Sequence, residues 1–188
     1  MKTAFIIHGF NGDTIHSFGP SLKQFLEAKG YKVIMPQFPI RTEASFTKWS
    51  NVLDEYKEYF DKDTIVVAHS IGNPFFIQYL YNNKLKAHLY VSVSGFCDLF
   101  TVDGREDLNN AFINFAINDT HIEYLKKSIP NRFSLYGGKD HVIPLEILKN
   151  FTNKIKSTPI YIENVGHMGN RDNVTNLPQI EDIINSVC

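Results

Sequence analysis

Ser70 is the residue whose setting most calls for a chemical explanation. It ends an apolar run, Thr64-Ile65-Val66-Val67-Ala68-His69, and Gly72 follows two positions later. A serine there could simply cap a helix. Small residues on both sides, Ala68 and Gly72, point instead to a sharp strand-to-helix turn that presents a nucleophilic hydroxyl. The following helix would aim its N-terminal dipole at the site and favour negative charge there.

A serine hydroxyl is a weak nucleophile unless a base takes its proton and a third group holds that base. The chain has seven histidines. Only His167, in Asn-Val-Gly-His-Met-Gly-Asn, follows the last apolar run in a short loop. Gly166 and Gly169 flank it, and they are expected to let the backbone turn and hold the imidazole over a strand end. The acid should come from a loop after an earlier strand. Asp140, in Tyr-Gly-Gly-Lys-Asp-His-Val-Ile-Pro, fits the order serine, acid, histidine. Asp98, in Ser-Gly-Phe-Cys-Asp-Leu, is the rival, and either aspartate could merely serve a turn.

Acyl transfer also needs N–H donors for an oxyanion. Ile71, just after the serine, supplies one candidate. Phe10, in Phe-Ile-Ile-His-Gly-Phe-Asn-Gly-Asp, supplies the other, with Gly9 permitting the turn and Asn11 a weaker choice. The same segment is not a dinucleotide loop, because Gly-x-Gly-x-x-Gly is missing. Nor is Tyr-Gly-Gly-Lys-Asp a phosphate loop: Phe133 stands where its first glycine belongs, and no Ser or Thr follows Lys139.

The elements that must position these groups are legible as alternation. Strands are expected at 3–7, 31–35, 64–68, 88–93, 132–136 and 158–162, mostly as continuous apolar runs of the kind buried on both faces. Helices are expected at 19–29, 44–60, 72–82, 106–116, 120–128, 144–155 and 178–186. This pattern implies a three-layer α/β/α sandwich with about six parallel strands. Residues 1–188 read as a single domain. The longest interval between strands, 94–131, has room for two short helices but not for a lid domain.

Bulk properties narrow the function further. A chain that is 43% hydrophobic and 21% charged is of the globular class. A net charge of −1 argues against a nucleic-acid partner held by phosphate contacts. The opening apolar run stops at Ile7, too short for a secretory core, and no stretch approaches a membrane span. Two cysteines, Cys97 and Cys188, make no disulfide framework. A cytoplasmic location is therefore the default expectation. No His-Glu-x-x-His or paired-cysteine motif is present, so neither metal nor cofactor is expected.

Taken together, His-Gly-Phe after the first strand, His-Ser-Ile-Gly after the third, Gly-Gly-Lys-Asp-His-Val-Ile-Pro and Val-Gly-His-Met-Gly resemble the α/β-hydrolase superfamily. The compact length is most similar to its small retinoblastoma-binding-protein-like serine hydrolases. That resemblance implies a minimal α/β-hydrolase fold with Ser70 as nucleophile, His167 as base and Asp140 as acid. Ala68 departs from the usual glycine. The Leu-x-Cys-x-Glu signature is absent, so no pocket-protein partner is implied. The expected activity is esterase-like, on a small-molecule acyl substrate, with Phe38 and Phe96 lining the pocket beside Phe10. A non-catalytic binding protein on the same scaffold and a minimal lipase are the rival readings. Oligomeric state is not legible.

Overall fold

The computed structural model describes residues 2–188. The strands are β1 (Thr3–Ile7), β2 (Lys32–Ile34), β3 (Ile65–His69), β4 (Leu89–Val93), β5 (Asn131–Gly137) and β6 (Thr158–Ile162). They form one sheet in the order β2-β1-β3-β4-β5-β6, with every neighbouring pair parallel. β1 and β4 are buried along their whole length, and β3 in all but its last residue, His69. Cover on both faces is why these segments read as unbroken apolar runs rather than alternating ones.

The helices are α1 (Gly19–Ala28), α2 (Phe46–Asp54), α3 (Gly72–Asn82), α4 (Glu106–Asn114), α5 (Asp119–Ser128), α6 (Leu145–Lys154) and α7 (Pro178–Val187). α1 and α7 cover one face, packing Leu22, Leu26, Ile180 and Ile184 against Ile6, Val67 and Val91. α2 to α6 cover the other, where Trp49, Phe75, Phe112 and Phe151 meet Phe5, Val66 and Tyr90. The result is the expected three-layer α/β/α sandwich. The interval 94–131 contributes only α4 and α5, both packed on the sheet's helical layer.

One expected helix is shorter than its sequence suggested. The 44–60 segment is helical only over α2, then passes through a 3-10 turn at Lys57–Tyr59. Ser45 caps its start by accepting the Lys48 N–H. The chain must leave the helix axis early because Phe60 stacks on Phe5 at 4.0 Å, beneath the sheet. A continuing helix would carry Phe60 away from that contact.

The chain runs outward from β1 to β2, then crosses back to begin β3 on the other side of β1. The loops after β1 and β3 therefore diverge, leaving a crevice at the carboxyl ends of neighbouring strands. Phe10 lies on the first of these loops and Ser70 on the second. At the far edge, β6 is the outermost strand, with Pro159 within it and Tyr161 half exposed. Among the described residues no helix is long and apolar enough to cross a membrane.

Candidate active site

Only two residues, Ser70 and Ile71, separate the end of β3 from the start of α3. Ser70 makes the turn with φ 54°, in the left-handed region. That conformation costs a residue with a side chain about 1–2 kcal/mol, so neighbouring contacts must hold it. Ser70 N–H donates to the Val93 carbonyl at 2.9 Å. The buried Asn73 amide donates to the Ser70 carbonyl at 2.9 Å and to the Val93 carbonyl at 3.1 Å. Tyr90 hydroxyl in turn donates to Asn73 Oδ1 at 2.6 Å. Gly72 is required by space: a Cβ there would lie 2.8 Å from the His8 carbonyl oxygen. Ala68 is fully buried, and its methyl is accepted in the core.

The structure brings Ser70, His167 and Asp140 into one hydrogen-bonded line. His167 Nε2 is 2.9 Å from Ser70 Oγ. Its Nδ1 is 2.9 and 3.1 Å from the two Asp140 oxygens. A carboxylate only accepts, so Nδ1 carries the proton and Nε2 is free to accept from the serine hydroxyl. Asp140 is almost wholly buried, with its side chain 1% exposed. Burial alone would raise its pKa. The His167 hydrogen bond and charge, with the N–H groups of Ile143 and Val142, outweigh burial and hold the carboxyl below its usual range. Those two N–H groups donate to Asp140 Oδ1 at 2.9 Å each.

Asp98 does not join this line. It accepts from Lys154 Nζ at 2.5 Å and from the Asn150 side chain. The lysine claims the carboxylate on the α6 side of the β4 loop.

The loop carrying His167 turns differently from expectation. The left-handed residue is Met168, at φ 58°, not either flanking glycine. Gly166 is needed for room, since a Cβ there would fall 2.1 Å from Asp172 Oδ1. Gly169 has ordinary space around it. Its N–H donates to Asp172 Oδ2 at 3.2 Å, closing a turn behind the imidazole.

The β1 loop presses close to the serine. A Cβ on Gly9 would lie 3.0 Å from Ser70 Cβ. His8 braces the loop: its Nδ1–H donates to the Gly9 carbonyl at 2.8 Å, and its Nε2 accepts the Phe38 N–H at 2.9 Å. Burial pushes the His8 pKa down, which keeps it in this neutral tautomer. Among the described residues, neither the Phe10 nor the Ile71 N–H has an acceptor within the protein. Asn11 is instead engaged by Arg41, whose Nε donates to its Oδ1 at 2.9 Å.

Ser70 and His167 stand in the wall of a cleft that opens to solvent. Gly9, Phe10, Phe18, Leu108, Val142 and Arg105 also line it. Phe38 and Phe96, expected in this lining, are not there. Phe38 is 1% exposed and stacks on Trp49 at 4.6 Å. Phe96 is 2% exposed and packs edge-on against Phe112 at 4.9 Å. Each is drawn into the aromatic core by a neighbouring helix instead of facing the crevice. Among the described residues, no group of three or more His, Cys, Asp or Glu is placed to hold a metal ion.

Sequence reasoning missed the residues beneath the line: Asn73, Tyr90, His8, His69 and Ser94. For Asn73 a signal was available, since an asparagine in the first turn of an otherwise apolar helix must find partners.

A six-stranded parallel sheet in this order, flanked by helices on both faces, is the α/β-hydrolase fold, which solved structures share. The chain belongs to the serine hydrolase family, whose model matches residues 4–186. YdeN of Bacillus subtilis (strain 168), which carries a provisional hydrolase name, is 23% identical over 98% of this chain and 95% of its own. The crystal structure of the ydeN gene product superposes with a TM-score of 0.85 at 22% identity, covering 100% of this chain and 98% of that one. A carboxylesterase structure from the thaumarchaeon Nitrososphaera gargenis gives a TM-score of 0.72 at 13% identity, covering 98% of this chain and 89% of that one.

Proposed function

We propose that the chain hydrolyses small carboxylic esters through an acyl-enzyme on Ser70. As Ser70 Oγ attacks the ester carbonyl, His167 Nε2 takes its proton. The developing oxyanion is held by the N–H groups of Phe10 and Ile71, which have no acceptor among the described residues. Collapse of the tetrahedral intermediate expels the alcohol, to which His167 returns the proton. Water then attacks the acyl-serine with His167 again as base, and the carboxylic acid leaves. Asp140 holds the imidazole in the required tautomer throughout and stabilises its protonated form.

The observation that carries this reading is the unbroken line from Asp140 through His167 to Ser70, with each contact at 2.9–3.1 Å. An open cleft favours a small acyl substrate that reaches the serine directly. The carboxylesterase among the structural neighbours is consistent with that chemistry.

The test is hydrolysis of p-nitrophenyl acetate, together with labelling by a fluorophosphonate. The parent should turn over the ester and become labelled at Ser70. Ser70→Ala should lose labelling, and its activity should fall by about 10³-fold or more. Equal hydrolysis by both proteins would defeat the proposal. An unlabelled, inactive parent would favour a binding protein on this scaffold.

A further inference from the structure

Resting on the hydrolase reading above, we propose that His69, assisted by Ser94, is a positioning residue that clamps the backbone of His167 and so sets the line to Ser70. His69 is covalently next to the serine, yet its side chain reaches the base. Its Nε2 lies 2.8 Å from the His167 carbonyl oxygen. Ser94 Oγ donates to the same oxygen at 3.1 Å. A carbonyl only accepts, so His69 must carry its proton on Nε2.

The two donors come from the ends of adjacent central strands. His69 ends β3, and Ser94 follows β4 at φ 46°, pinned by its N–H bond to the Leu135 carbonyl at 2.9 Å. They converge on a peptide that a left-handed Met168 follows. His69 thereby closes a ring. The chain joins it to Ser70, Ser70 bonds the His167 imidazole, and the His167 carbonyl bonds back to His69. The two imidazoles lie 5.0 Å apart, and Phe18 meets His69 edge-on at 6.0 Å. Rotation of the 167–168 peptide would break both donors and swing the imidazole from its partners.

The clamp also suits the charge that catalysis creates. Burial, then repulsion from His167, pushes the His69 pKa down to about 3. His69 is thus a neutral donor at working pH and adds no like charge when His167 becomes an imidazolium. A role in packing alone would be served by any ring of similar size.

Three variants and three readouts test the clamp. His69→Phe keeps a ring and removes the donor. His69→Gln keeps an N–H at similar reach. His69→Phe should lower kcat for p-nitrophenyl acetate at least about tenfold with little change in KM, and slow fluorophosphonate labelling to match. His69→Gln should recover most of that loss. The low-field proton resonance of His167 Nδ1–H should vanish in His69→Phe and persist in His69→Gln. This readout needs no ester, so it judges the clamp even if the parent proves inactive and the ester reading fails. A kcat within twofold of an active parent in His69→Phe, equal losses in the two His69 variants, or an unchanged resonance would overturn the proposal. If His69→Phe does not fold, Ser94→Ala decides. A kcat loss of about threefold at unchanged KM supports the clamp, and no loss overturns it.

Discussion

Two loops at the same rim of the sheet carry an aspartate a few residues beyond a strand, and only one of them meets the histidine. After β5, Asp140 is sealed from solvent and receives two backbone N–H groups on one oxygen, leaving an edge for the imidazole. After β4, Asp98 is 29% exposed at its side chain and bound to a lysine. Both carboxylates are satisfied, but by different partners. Neutral backbone donors stabilise a carboxylate while leaving its charge available to a neighbour. A lysine ammonium neutralises it. The difference shows that chain position after a strand is not enough to make an orienting acid; the local donors decide.

The sharpest way to break this contrast is Asp140→Asn. An amide keeps the size but favours the wrong imidazole tautomer, and kcat for p-nitrophenyl acetate should fall about 10³–10⁴-fold. Next in size is Gly137→Ala, which probes how tightly the β5 end is wedged under the His167 loop. A Cβ there would lie 2.1 Å from the Val165 carbonyl oxygen and 2.3 Å from that of Gly166. Both are backbone, so urea unfolding should show a loss of about 2–4 kcal/mol.

A smaller effect appears in acid. The Asp140 carboxyl is held below its unfolded value, so the folded state binds its proton less readily than the unfolded state. Its stabilisation is present above the usual carboxylate pKa near 4 and is lost as pH falls through the lower folded value. Asp140→Asn should therefore flatten the acid limb of stability against pH, measured by thermal melting at a series of low pH values. The smallest effect belongs to Asp98→Asn. Kinetics should stay within about twofold of the parent, and stability should change by less than about 1 kcal/mol. A large kinetic loss in that variant would erase the distinction between the two loops.

Much of this could be read from the chain itself. All six strands lie within about one or two residues of their expected bounds, because a buried parallel strand is a short apolar run ended by turn residues. Ser70 was legible because small residues two positions to either side mark a close helix–strand approach. His167 was legible from its place after the last strand. The choice of Asp140 over Asp98 rested on its motif and on which strand it follows; the lysine that claims Asp98 lies on α6, far along the sequence. Phe38 and Phe96 misled because position after a strand does not reveal which way a ring points. Trp49 and Phe112, on distant helices, claim them. His69 and Ser94 were invisible for a different reason. Their acceptor is a backbone carbonyl, which every residue has, so no side-chain pattern announces the contact.

The outer edge of the sheet has its own consequence. Ile162 faces β5, since its carbonyl accepts the Gly138 N–H. Alternation along the strand then turns Pro159 and Tyr161 outward. Proline has no N–H, so the rim offers an incoming strand from another molecule fewer donors than a regular edge would. With β2 only three residues long at the opposite rim, this open sheet gives self-templated growth into fibrils little to build on.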